Sequence, residues 1–219
     1  MTIGAIGASG SATNTATAVR SNNAISYFLP SSLGGIQGWV MYAFGENPSG
    51  GVKTNNYLGF RFGYAAGPIS AHVAYSKTEG ATDAADYKVL NFGASFDAGV
   101  VKPTLVVHQE KNGAGMKVLS IEPGVMVPVG PMGVLRASYA RHDIKDSDND
   151  WNKIAVGYLH NLSKRTTLYA TYARVSNKGV QNRTVGNNGI NNGLNGATTI
   201  VSSPGGNSSG VEFGVRHSF

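Results

Sequence analysis

Leu135-Arg136-Ala137-Ser138-Tyr139-Ala140-Arg141 and Leu168-Tyr169-Ala170-Thr171-Tyr172-Ala173-Arg174 are nearly one pattern written twice. Successive side chains of an extended chain point to opposite faces. Leu135, Ala137 and Tyr139 therefore share one face, and Arg136 and Ser138 the other. In the second copy Leu168, Ala170 and Tyr172 stand opposite Tyr169 and Thr171. Ala71-His72-Val73-Ala74-Tyr75 is a third version. Helical spacing is almost absent, whereas period-2 alternation recurs in segments of about ten residues, which reads as strand.

Working outward, the pattern predicts about eleven strands. They fall at 20–29, 36–45, 56–65, 69–78, 87–97, 101–110, 116–128, 132–142, 151–161, 165–175 and 209–219. Tight connections (Ser31–Gly35, Ala65–Pro68, Asp97–Val100, Val129–Pro131, Asn161–Lys164) alternate with longer polar ones (Gly45–Asn55, Glu79–Asp86, Asp143–Asp150, Ser176–Gly210). Lys111–Gly115 is short for its set. Short turns at one end and long loops at the other are the pattern of an outer-membrane barrel.

The two faces differ in kind. One carries Leu58, Phe60, Phe62 and Tyr64; Leu90, Phe92, Ala94 and Phe96; Ile154, Val156 and Tyr158. Aromatics gather at the turn ends (Tyr27, Phe62, Tyr64, Phe96, Tyr158, Phe219) and at the loop ends (Tyr42, Phe44, Tyr75, Tyr139, Tyr172). Amphipathic rings settle at lipid–water boundaries, so two girdles are expected. The other face holds Gly59, Gly63, Asn91, Gly93, Ser95, Ser120, Gly124 and Gly157. A soluble β-sandwich also alternates, but it packs its apolar faces together; a small, polar second face suits a water-filled wall better. The fold class is read as all-β, a transmembrane antiparallel β-barrel.

Composition agrees. Among 219 residues, 30 are glycine and 14% are charged. Mean hydropathy is −0.12, and no apolar run approaches the ~18 residues of a membrane helix. Cysteine is absent, which excludes disulfides, thiolate metal sites and a thiol nucleophile. Met1–Thr15 lacks the basic and apolar regions of a secretory signal. Ser176–Gly210, with its GNNGINNGLNG run, cannot bury a core and reads as a long surface loop.

The closing segment Gly210-Val211-Glu212-Phe213-Gly214-Val215-Arg216-His217-Ser218-Phe219 and the turn Asn161-Leu162-Ser163-Lys164-Arg165-Thr166 resemble the general porins of Gram-negative bacteria. The likeness is to the β-proteobacterial type, near the anion-selective porins of comamonads, and it covers essentially the whole chain. Arg20-Ser21-Asn22-Asn23-Ala24-Ile25-Ser26-Tyr27, followed by Gly34-Gly35, resembles the family's strand after the constriction loop. The resemblance implies a trimeric barrel of about sixteen strands, of which about eleven are present. It implies that residues 1–19 are the remnant of the constriction loop, that 20–219 are the C-terminal strands, and that the chain is N-terminally truncated. Eleven strands leave two unpaired edges, costly in hydrocarbon, so closure unaided is not expected. Phe219 would be the signal read by the barrel-assembly machinery.

A pore selects by the charge on its wall. Net charge is +6 and the pI is near 9.5. With the lipid-facing residues setting the parity, the inward set includes Arg20, Arg61, Lys102, Arg136, Lys153 and Arg216, against inward Glu122 and Glu212. The remaining acids fall mostly in loops or at strand ends. Fixed guanidinium groups in a narrow channel attract anions and repel cations. The expected function is passive diffusion of small hydrophilic solutes, with small anions and organic acids preferred. Arg20, beside the constriction loop, is the first candidate, with a structural salt bridge fixing that loop as its alternative role; for Arg61, Arg136, Lys153 and Arg216 the alternative is to pair with Glu122 or Glu212 or simply to solvate the wall.

Other chemistry is weakly represented. Asp146-Ser147-Asp148-Asn149-Asp150 opens like a calcium loop but lacks its glycine and closing glutamate; a solvated acidic loop is the default. The five histidines (72, 108, 142, 160, 217) show no ligand spacing, and no nucleophile elbow or phosphate loop occurs. The basic residues form no single face with stacking aromatics, which argues against nucleic acid. No enzyme and no cofactor are expected. A barrel enzyme would need a constellation that His142, Asp143 and Ser138 do not convincingly supply. A non-conducting structural or adhesive barrel is the alternative function.

Overall fold

The computed structural model describes residues 21–45, 54–185 and 203–219. Among these residues the chain is all-β apart from one short helical turn, Asp83–Ala85. The strands are β1 (Ala24–Phe28), β2 (Ile36–Ala43), β3 (Tyr57–Ala66), β4 (Ile69–Thr78), β5 (Tyr87–Phe96), β6 (Lys102–Asn112), β7 (Lys117–Val129), β8 (Gly133–Ile144), β9 (Trp151–Asn161), β10 (Thr166–Asn177) and β11 (Asn207–His217). They form one sheet in chain order, β1 to β11. Two of the expected spans match their strands and most others differ at the ends by one or two residues. β1 starts at Ala24, four residues after the expected start; Arg20 and the expected loop remnant 1–19 lie outside the described residues.

The sheet divides into two compact units, Met1–Ala94 with Val106–Ser120, and Ser95–Leu105 with Ile121–Phe219. Within the first, β3 pairs with β2 and β4, so that Trp39, Arg61 and Ala74 stand in one row and Gln37, Gly63 and His72 in the next. Within the second, one row runs Arg136, Gly157, Thr171, Glu212 across β8 to β11. Tight turns make these registers possible. Gly67, at φ +56° between β3 and β4, and Gly130, at φ +63° between β7 and β8, adopt the left-handed conformation that a tight reversal requires.

Neither unit has a conventional core. Among the described residues the buried apolar side chains are Ala43 in the first unit and Ala140, Trp151 and Val175 in the second. The large apolar residues face outward: Leu58 is 50% exposed, Tyr64 45% and Ile154 48%. Such a face costs roughly 25 cal/mol per Å² in water; bilayer hydrocarbon removes that cost. The β-sandwich alternative required these residues to be covered. No helix among the described residues is long and apolar enough to cross a membrane, which leaves crossing by strands untouched.

Candidate functional site

The site is the polar face of the strands, taken unit by unit. In the first unit Arg61 sits at the middle of β3, and its Nη2 donates to His72 Nδ1 at 3.1 Å. His72 Nε2 lies 3.1 Å from Ser70 Oγ. The imidazole lies across Gly63, where any Cβ would overlap His72 Nδ1. Further along this face His108 Nδ1 contacts Asn91 Oδ1, and His108 Nε2 is 2.6 Å from Glu110 Oε1. Tyr87 also hydrogen-bonds Glu110, which is buried. Sequence reasoning passed over Glu110. Its parity on β6, shared with His108, was the available signal.

In the second unit Lys102, Arg136, Lys153 and Arg216 share the polar parity of their strands with Glu122 and Glu212. Lys102 sits at the turn end, 3.6 Å from Asp97. Arg136 Nε is buried and has no hydrogen-bond partner. Lys153 stands between Ala140 and Val175, and Arg216 opposite Thr167. Among the described residues Arg136, Lys153 and Arg216 make no ion pair. Glu212 is engaged: Tyr169 Oη donates to its Oε1 at 3.0 Å. Tyr169 lies against Gly214, where a Cβ would come within 2.7 Å of the phenol oxygen.

The loop ends are tied down locally. In the first unit Lys77 Nζ bridges Asp86 at 2.9 Å and Glu79 at 3.2 Å. The Lys77 ammonium, with a further hydrogen bond from the Gly80 amide, holds the Asp86 carboxyl below its ordinary value of 3.8. In the second unit His142 stacks on Trp151, with ring centroids 4.7 Å apart, and the Arg183 guanidinium lies 4.6 Å from the Trp151 ring. Asn177 donates to the carbonyls of Arg183 and Gly206, pinning both flanks of the long loop.

The calcium candidates are not brought together. Asp146 pairs with Lys145 at 3.4 Å, and Asp150 accepts from the Ile144 amide and lies 3.7 Å from Arg141. Among the described residues no group of three metal-ligating side chains is assembled. Phe219 ends the chain fully exposed, its ring edge-on to His217 at 5.0 Å.

Residues 1–180 match the model of the Gram-negative porin family. The chain is 34% identical over 214 residues to outer membrane porin protein 32 of Delftia acidovorans, covering 92% of this chain and 57% of that protein. It resembles the solved anion-selective porin from Comamonas acidovorans at TM-score 0.73 and 31% identity, over 91% of this chain and 60% of that one. A likeness in fold alone extends to OmpF of Salmonella typhi, solved with daunomycin, at TM-score 0.62 and 12% identity, over 89% of this chain and 61% of that one. The chain thus spans little more than half the length of the relatives it matches. On the matched family and its exposed apolar strand faces, the chain belongs to the Gram-negative porins, outer-membrane proteins built as β-barrels.

Proposed function

We propose that this chain supplies the wall of a water-filled outer-membrane channel, through which small hydrophilic solutes pass by diffusion with a preference for anions. The observation that carries the reading is the polar face of the second unit. Lys102 is matched there by Asp97, while Arg136, Lys153 and Arg216 stand with Glu122 and Glu212 and make no ion pair among the described residues. Uncompensated charge on a confined wall raises the local concentration of counter-ions. The name of the Comamonas relative supports the sign of the preference. Small inorganic anions and organic acids are the proposed permeants, and a homotrimer the proposed assembly. Recognition of the C-terminal strand, ending at Phe219, by the barrel-assembly machinery is proposed on the resemblance. The relatives are porins, and no enzyme family is indicated.

The test is the reversal potential of the reconstituted chain in a planar bilayer under a potassium chloride gradient. Polarity set by chloride supports the reading. Polarity set by potassium overturns the charge preference while keeping a channel, and absence of conductance both from this chain and from a barrel completed with the missing strands favours a structural barrel.

A further inference from the structure

Arg61 has an unusual partner for a cation on a proposed channel wall. Among the described residues it makes no ion pair with a carboxylate. Its guanidinium meets the imidazole of His72 instead, with Nη2 3.1 Å from Nδ1 and 3.4 Å from Nε2. A guanidinium is a donor only, so Nδ1 must accept. The ring proton then belongs on Nε2, where Ser70 Oγ stands 3.1 Å away to receive it. The register prepares the contact: His72 is directly opposite Gly63, and Arg61 is two residues before that glycine on the same face. Because position 63 has no Cβ, the ring can lie flat and reach Arg61; a Cβ there would overlap Nδ1 and come within 2.6 Å of the Ala71 carbonyl. Among the described residues, Glu110 on this unit's polar strand face is engaged by His108 and Tyr87.

We propose that His72 is a positioning residue for anion selectivity, a neutral imidazole seated on Gly63 and aligned by Ser70 that holds the Arg61 guanidinium on the wall without cancelling its charge. This rests on the anion preference proposed above. A carboxylate in the same place would fix Arg61 equally well but neutralise its field. With no partner at all, the long side chain would sample many rotamers and present a weaker average field at mid-strand. An uncharged acceptor gives order and keeps the charge.

The test compares the full chain with His72→Ala, His72→Gln and Arg61→Gln. Two readouts are used: the anion-to-cation permeability ratio in a planar bilayer, and the ¹⁵N shifts of the His72 ring in detergent micelles. Arg61→Gln should lower the ratio by about two- to fivefold, the effect of a partly exposed charge. His72→Ala should lose most of the same factor although the formal wall charge is unchanged, and His72→Gln, which retains an acceptor oxygen, should restore much of it. In the parent chain the shifts should show a single tautomer with Nδ1 unprotonated, giving way to a mixture in Arg61→Gln. A His72→Ala ratio equal to the parent's, while Arg61→Gln lowers it, overturns the positioning role. If the parent shows no anion preference, the proposed function fails and the ring shifts decide: a fixed tautomer lost in Arg61→Gln sustains the positioning contact, and an unchanged mixture overturns it.

Discussion

The two units use the same local arrangement to opposite electrostatic ends. In the first, His72 lies over Gly63 and reaches Arg61, two residues before the glycine. In the second, Tyr169 lies against Gly214 and reaches Glu212, again two residues before the glycine. A ring opposite a glycine can fold flat along the wall, because nothing projects beneath it, and its polar tip arrives at the charged neighbour. What differs is the polarity of the tip. The imidazole accepts from a cation, whereas the phenol donates to an anion. A shared backbone device thus serves whichever charge the strand carries, and side-chain chemistry decides whether a cation is held ready or an anion is engaged.

The largest test of that comparison is steric. In Gly63→Ala the new methyl meets the His72 ring and also the backbone carbonyl of Ala71, which cannot swing away. Overpacking of this kind costs about 1–3 kcal/mol. At Gly214 the close atoms all belong to the far end of the Tyr169 side chain, so Gly214→Ala should cost a fraction of that. Thermal unfolding in detergent, followed by the loss of the compact band on unheated gels, should rank Gly63→Ala below Gly214→Ala. Equal losses would show that the Ala71 carbonyl adds nothing to the clash at position 63.

A smaller effect concerns the charge itself. Glu212→Gln removes one of two acids from the second unit's polar face, so the anion-to-cation permeability ratio should rise by a factor of about two. A fall in the ratio would place Glu212 away from the permeation path. Tyr169→Phe should act in the opposite sense and more weakly. It withdraws the donated hydrogen bond, leaving Glu212 more fully available to cations, and the ratio should drop by less than about twofold. An unchanged ratio would reduce the phenol to packing.

A separate and local effect lies at a loop end. The Lys77 ammonium holds the Asp86 carboxyl below its ordinary value of 3.8. A carboxylate so lowered stabilises the folded loop at pH above that value, and the contribution is lost as pH falls through the depressed one. Asp86→Asn should loosen the loop by about 1 kcal/mol at neutral pH, seen as faster amide exchange at Gly80, whose N–H donates to Asp86. Once the pH lies below that depressed value the variant and parent should converge. A difference that persists there would mean that Asp86 acts through something other than its charge.

Much of this was legible in advance at the level of single strands. The repeated Leu-x-Ala-x-Tyr pattern of β8 and β10 gave both the element and the face of each residue, and the exposed Leu58, Phe62 and Ile154 lie on the expected apolar side. At Asp146, Asp148 and Asp150 spacing left a weak calcium candidate beside the default of a solvated acidic loop; in the folded loop Asp146 lies near Lys145 and Asp150 near Arg141. Glu110 was hidden because an acid in a strand pattern announces its parity but not its burial. His72 looked like one of five scattered histidines, since nothing in the linear order ties it to an arginine eleven residues earlier.

The all-β class, the alternation of turns and loops, and the sorting of residues onto an apolar and a polar face are all legible in the linear order of residues. Facing repeats every two residues and turn composition is local, so both are written in short stretches of chain. Which polar-face residues meet is a property of the folded sheet. Contacts such as Arg61 with His72, Tyr169 with Glu212, and His108 with Asn91 depend on the register between neighbouring strands. A register shifted by one residue would exchange the faces, and a shift by two would keep the faces while changing every partner.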